Sequence, residues 1–269
     1  MEKMDKTVFF LSGLPRSGST LLASLISQNP DFTVTPTSPL LDLLCFVDEA
    51  FLKLDKTYTY DKKTITSNIY KALVPAYYEH IKNKYVLDKH RGHPRNVIPH
   101  KMFVTDNPKI ICTLRPIAEI ITSYITLIEN NKQDNNFVDN RLRELGQKIN
   151  TSNRAEVLWK EYISDPYMSL THGLKHHREN IHLVDYDKLV NNPDEELAKI
   201  YEFLNVEKYK KHQYKNIKNT AAEDKDFAWG LDNLHKIRPA LEKKSVNPKD
   251  VLGAFLTSQY SEFDIKCKS

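Results

Sequence analysis

The sequence predicts an α/β fold in which a central parallel sheet is covered by helices on both faces. Three observations carry this. Short unbroken apolar runs, Thr7–Ser12 and Lys109–Leu114, suit strands buried on both sides. Each run is followed by a glycine or proline break and then by residues with helical spacing. Strand and helix patterns then alternate along the chain, as crossover units of a parallel sheet do.

The elements follow in order. Thr7–Ser12 is the first strand, Gly13–Gly18 breaks it, and Ser19–Ser27 resumes as a helix. Asn29-Pro30 stops that helix, because the residue before proline avoids the helical region. Phe32–Thr35 is a second strand. Leu40–Leu54 and Ile65–Lys82 read as helices, the latter interrupted at Pro75. Tyr85–Asp88 is a third strand, followed by a polar, His-rich loop from Lys89 to Pro99. After Lys109–Leu114, Pro116 opens a helix over Ile117–Ile128. Arg154–His177 reads as a long helix interrupted at Pro166, and Ile181–Asp185 as a strand. Asn192 is placed as an N-cap, with Pro193 at the first helical position and Asp194, Glu195 and Glu196 complementing the helix dipole. With no repeat, low-complexity stretch or linker, the chain is expected to be one domain over residues 1–269. A helical insertion is expected at about residues 38–84, and an irregular portion after about residue 206.

Composition narrows the function classes. The 269 residues are 40% hydrophobic and 10% aromatic, which excludes a disordered chain and allows a sizeable core. No stretch approaches the roughly 18 apolar residues of a membrane span. The first residues carry acids and lead into a short apolar run, unlike a signal peptide. Cys45, Cys112 and Cys267 are odd in number and dispersed, against a disulfide framework or a cysteine zinc site. A soluble, cytoplasmic protein is expected. Lys and Arg exceed Asp and Glu by 39 to 35, and the lysines are spread out apart from a short cluster at 208–212. Nucleic acid is therefore not an expected partner, whereas an anionic small molecule is compatible. His172 and His176 lie four apart without a following Glu, and His90, His93 and His100 lack cysteine partners, so no metal is expected.

Residues Gly13 to Thr20 match the phosphate-loop spacing G-x-x-x-x-G-K-[ST], with Ser19 in the lysine's place. Backbone N–H groups of such a loop and of the following helix cradle an anion at the positive end of the dipole. A nucleoside triphosphatase uses the lysine to reach the β- and γ-phosphates and the hydroxyl to hold Mg²⁺. Here the cation has moved to Arg16, which points to a 5′-phosphate ligand with no obligatory metal. A plain Gly/Ser turn between strand and helix is the alternative. Arg115 ends the Lys109–Leu114 strand at the edge where open α/β sheets bind ligands. Ser123 follows eight residues later, just over two helical turns on, so that both could grip one phosphate. A strand-end salt bridge and an ordinary helix serine are the alternative for that pair.

Taken together, Leu14-Pro15-Arg16-Ser17-Gly18-Ser19-Thr20, Leu114-Arg115-Pro116 with Ser123-Tyr124, and Val184-Asp185-Tyr186-Asp187-Lys188-Leu189 with Asn192-Pro193 resemble the PAPS-dependent sulfotransferase family. The three blocks fall in family order across residues 7–204, and their Pro-Arg-Ser-Gly form is similar to the tyrosylprotein and carbohydrate branches more than to the cytosolic phenol enzymes. The resemblance implies a P-loop NTPase-like parallel sheet and transfer of a sulfuryl group from 3′-phosphoadenosine 5′-phosphosulfate to a hydroxyl, less readily an amine. It implies that Arg16, Ser17, Gly18, Ser19 and Thr20 hold the 5′-phosphosulfate, Arg115 and Ser123 the 3′-phosphate, and that Tyr186 lies near the adenine. Lys89 matches an active-site lysine of several branches. Family members with a glutamate base place it soon after the first helix, where Thr33–Ser38 has no carboxylate. Cytosolic members use a histidine two residues after the lysine; here His90 follows Lys89 directly. His90 is taken as the base, its ordinary pKa suiting neutral pH, with Asp42 and His93 as alternatives. The Arg-Lys-Gly signature of cytosolic members is absent, and Arg238 with Lys244 is expected to cover the 3′-phosphate instead.

Two other functions compete. A P-loop nucleotide or small-molecule kinase would need ATP and Mg²⁺, and the missing lysine at position 19 argues against it. A catalytically inactive nucleotide-binding protein would keep the loop and lack the base. The acceptor, whether glycan, peptide, lipid or small molecule, has no recognisable code in residues 36–60, 89–100 and 220–245, and the oligomeric state is not set.

Overall fold

The computed structural model describes residues 6–54, 61–131, 135–218, 229–237, 240–242 and 246–267. Five strands, β1 (Thr7–Gly13), β2 (Phe32–Thr37), β3 (Tyr85–Lys89), β4 (Ile110–Leu114) and β5 (Ile181–Asp185), form one sheet in the order β2-β3-β1-β4-β5. Every pairing in it is parallel. The chain builds β2 and β3 to one side of β1, then crosses to place β4 and β5 on the other. A crevice therefore opens at the carboxyl ends of β1 and β4, the switch point where such sheets bind ligands. Register keeps these ends level, with Leu11 opposite Lys89 and Gly13 opposite Thr113.

Strand residues alternate between two cores, as the two-residue strand period requires. Val8, Phe10, Val86, Ile110 and Cys112 face one side; Phe9, Leu11, Leu87, Ile111 and Val184 face the other. Helix α1 (Ser19–Ile26) covers the second side, and α5 (Ile117–Glu129) covers the first. Helices α2 (Leu40–Leu54) and α3 (Lys62–Tyr78) fill the expected insertion. The α3 start is earlier than Ile65 because the Asp61 carboxylate accepts the Thr64 N–H at 3.1 Å and fixes the first turn. Pro75, expected to interrupt this helix, sits inside it without a break, and the helix ends at Tyr78 rather than Lys82.

Four further expectations are corrected. The loop expected over Lys89–Pro99 is a 3₁₀ turn, His93–Asn96, leading into α4 (Val97–Phe103). One of its histidines, His93, and the His100 that follows belong to the core. His93 and His100 are buried and bonded to each other, with Phe10 stacked on His100 at 4.0 Å. Pro166 does not break its helix: α7 (Thr151–Val157), a π-helical segment Leu158–Ile163 and α8 (Ser164–His176) run on continuously. The widened turn sends the Ser164 N–H back five residues to Trp159, and the Ser164 hydroxyl donates to the Lys160 carbonyl at 2.9 Å. The proline's missing donor is thus absorbed without a break.

The third correction is at Asn192. It precedes α10 (Pro193–Leu204), after α9 (Tyr186–Asn191), but its side chain makes no capping hydrogen bond. Last, the portion after residue 206 is not wholly irregular. It contains α11 (Pro248–Ser261), which Asn247 does cap by accepting the Lys249 N–H, with Pro248 at the first position. This helix packs on α5, and the following Asp264 carboxylate accepts the Ile117 N–H at 2.8 Å, satisfying a donor at the start of α5. Among the described residues no helix is long and apolar enough to cross a membrane.

Candidate functional site

The loop after β1 is shaped by close contacts with two other segments. At Gly13 a Cβ atom would collide with Thr113 of β4. At Gly18, with φ of 93°, it would stand 2.6 Å from the Tyr186 ring. Arg16 itself adopts φ of 57°, the left-handed region that non-glycine residues rarely enter. What holds the loop in this form is Ser17. It is fully buried, and its hydroxyl pairs with Thr113 Oγ1 at 2.6 Å and with the Leu14 carbonyl. Ser17 therefore turns its side chain inward, to the sheet. Helix α1 starts at Ser19 with no side-chain cap and no acid in its first turn, leaving the positive end of its dipole unopposed by local charge.

Arg16 reaches across the crevice. Its Nε donates to Ser123 Oγ on α5 at 3.3 Å, its guanidinium donates to the Leu234 carbonyl, and its Cζ lies 5.8 Å from the Tyr124 ring centre. Arg115 leaves the end of β4 and meets the same loop, donating to the Arg16 carbonyl at 3.4 Å. Glu119, one turn along α5, accepts from Arg115 Nε at 3.0 Å, and the Tyr186 ring lies 4.9 Å from Arg115 Cζ. Two arginines, a hydroxyl, a helix N-terminus and an aromatic ring converge from three strand ends, a set suited to a polyanion bearing a planar group.

On the other flank, Lys89 ends β3, its backbone tied to Thr35 Oγ1 and to the Ser38 N–H at 2.9 and 2.8 Å. His90 follows, fixed by its N–H to the Leu11 carbonyl. Its Nδ1 accepts the Gly92 N–H at 3.0 Å, and its Nε2 lies 3.5 Å from the Asp42 carboxylate. The neutral ring thus carries its proton on Nε2, facing Asp42. Burial, and secondarily His93, hold the His90 pKa below its ordinary 6.5, opposed by Asp42. His93 faces the core instead: its Nε2 pairs with buried Asp88 at 3.1 Å, its Nδ1 with His100 at 3.1 Å, and the Tyr78 hydroxyl donates to Asp88 at 2.8 Å.

Arg16, Gly18, Ser19, Thr20, Lys89, His90, Arg115, Ser123 and Tyr186 line one cavity of about 600 Å³. Ser17 and His93 do not, and Arg238 and Lys244 lie outside the described residues. Glu119, Tyr124, Phe137, Tyr162 and Trp229 also line it and were missed from the sequence. Glu119 had a readable signal, its four-residue spacing from Arg115 on a helix. The aromatic residues had none, because they are brought in from separate segments.

No curated protein matches the sequence. Similar solved structures include the sulfotransferase domain from the curacin biosynthetic pathway, at 17% identity and TM-score 0.48 over 98% of this chain and 93% of that one. The sulfotransferase domain from the Synechococcus PCC 7002 olefin synthase aligns at 20% identity and TM-score 0.47 over 97% and 96%. A sulfotransferase from Alicyclobacillus acidocaldarius aligns at 16% and 0.47 over 82% and 87%. The family model for sulfotransferases matches residues 9–211, which takes in β1 from Phe9 on, the other four strands, the β1 loop and both arginines, and the chain belongs to the sulfotransferase family.

Proposed function

We propose that the protein transfers a sulfuryl group from 3′-phosphoadenosine 5′-phosphosulfate to an acceptor hydroxyl, or less readily an amine, without a metal. The observation that carries this is the convergence of Arg16, Arg115 and Ser123. Residues far apart in sequence meet within 3.4 Å at the sheet's switch point, with the α1 N-terminus beside them. A nucleotide with separate 5′ and 3′ anions uses all of them. The backbone of the β1 loop with Ser19, Thr20 and Arg16 takes the 5′-phosphosulfate, and Arg115 and Ser123 the 3′-phosphate. Tyr186 backs the adenine, and Ser17 serves by pinning the loop to β4.

In the transfer, the acceptor oxygen forms a bond to sulfur as the bond from sulfur to the bridging oxygen breaks. Negative charge grows on that oxygen and leaves with adenosine 3′,5′-bisphosphate. Arg16, Lys89 and the loop amides stabilise it there. The acceptor's proton goes to His90 Nδ1, displacing the Gly92 N–H, while Asp42 holds the Nε2–H of the imidazolium. We place this activity in the cytoplasm, in keeping with three cysteines that are all unpaired thiols.

Isothermal calorimetry with adenosine 3′,5′-bisphosphate in EDTA tests the donor site. Binding without Mg²⁺ is expected, weakened about 10- to 100-fold by Arg115→Ala, the loss typical of hydrogen bonds to a charged group. Absence of binding, or ATP turnover that needs Mg²⁺, would overturn the proposal in favour of a kinase.

A further inference from the structure

The cavity continues beyond the groups that the donor uses. One face of α5 lines it from Glu119 through Ser123 to Leu127 and then Asn130. At the helical rise of about 1.5 Å per residue, Asn130 lies about 10 Å past Ser123. On the same cavity three rings meet edge to face: Phe137 and Tyr162 at 4.5 Å and 72°, Phe137 and Trp229 at 5.4 Å and 77°, Tyr162 and Trp229 at 6.5 Å and 78°. Tyr124 joins them at 6.1 Å from Phe137 and carries the row back to Arg16.

This wall is a built feature. Tyr162 comes from the π-helical segment, where the wider turn changes which residues share a face. Gly230, next to Trp229, has φ of 61° and packs so closely on Asn135 that a Cβ there would stand 2.5 Å from its carbonyl oxygen. Asn131 fixes the same turn, donating to the Gly230 carbonyl at 2.7 Å and accepting the Asp232 N–H at 3.3 Å. Phe137 starts α6 (Phe137–Glu144), which Arg154 clamps by a two-bond fork to Asp139 at 2.8 Å.

We infer that this aromatic wall seats the acceptor, and that the acceptor is an uncharged small molecule with an aromatic or other apolar ring body bearing the hydroxyl. The inference rests on the sulfotransferase reading and adds the substrate class. The adenine already has Tyr186 beside the loop and does not need the rings of the wall as a second platform. A sulfated or carboxylated glycan would need cations on the wall, and Tyr124, Leu127, Phe137, Tyr162 and Trp229 carry no charge. Edge-to-face rings instead offer apolar area and a ring slot to a planar body. From Tyr124 the row leads to Arg16, which brings such a ring's hydroxyl toward the transferring group.

The test loads the protein with adenosine 3′,5′-bisphosphate and titrates 2-naphthol, followed by its fluorescence, with chitobiose as the neutral glycan control. Naphthol should bind and chitobiose should not. Tyr162→Ala should weaken naphthol about tenfold, the loss expected for a buried ring contact, and leave the nucleotide Kd unchanged. Phe137→Leu, a milder change, should act in the same direction, and thermal melts identify any variant that fails to fold. The proposal is overturned if naphthol does not bind, if chitobiose binds more tightly, if neither folded variant weakens naphthol, or if both weaken the nucleotide as much. Naphthol binding that responds to the variants, in a protein that fails to bind the nucleotide, would support the wall and reject the donor site.

Discussion

His90 is where chemistry and local geometry are most tightly joined. Its one lone pair faces the Gly92 N–H, and its proton faces Asp42, so in the proposed transfer it accepts a proton by exchanging a backbone donor for the acceptor hydroxyl. His90→Gln should therefore lower kcat about 100-fold or more while leaving adenosine 3′,5′-bisphosphate affinity intact, measured as product nucleotide release. In the parent protein the acidic limb of kcat should fall below pH 6.5, since burial depresses the His90 pKa and keeps the ring neutral there. An acidic limb that survives in the variant would assign the base elsewhere, with Asp42 next. Ser17 shows what a motif leaves open about the direction of a side chain. The pattern places a serine in the loop, but the side chain is aimed at Thr113, which only the packing of β1 against β4 determines.

At the scale of elements, α5 depends on a segment far away in sequence. The Asp264 carboxylate accepts its first-turn N–H, and burial raises that group's pKa against the opposing pull of the hydrogen bond. Asp264→Ala should cost about 1 kcal/mol, as the loss of a helix cap does, seen as a lower denaturation midpoint. Because α5 carries Ser123 and abuts Arg115, nucleotide affinity should weaken in step. An unchanged midpoint would show that the contact contributes nothing. The helix was legible from Pro116 and its apolar stripe; its cap was not, being 147 residues away. Likewise Pro166 reads in sequence as an interruption, and only the tertiary arrangement converts it into a π turn that presents Tyr162 to the cavity.

For the whole molecule, several buried or half-buried histidines have pKa values below the ordinary one. His90, His100, His182 and His212 are all held down mainly by burial, His100 well down. A depressed pKa in the folded state means that protons bind the unfolded chain more readily. The associated stability is full above the unfolded value near 6.5 and is lost as pH falls through the depressed folded values. The denaturant midpoint should fall between about pH 7 and pH 5, before most carboxylates titrate. A flat profile across that range would show that these rings stay solvated.

The strand–helix alternation, all five strands to within a few residues, and the loop and arginines at two strand ends can be read from local residue patterns. These are local signals, written in apolar runs, glycine and proline spacing and a cation beside a helix start. They leave α4, α6, α9 and α11 unread. Their identity as helices is settled by what they pack against: α4 by the buried His93–His100 pair, α11 by the face of α5. It takes the folded chain to show that Arg16 meets Ser123, that His93 turns away from the cavity, and that three rings from separate segments form one wall. Side-chain convergence across 92 to 107 residues of sequence depends on strand order and register, which no short window of residues encodes.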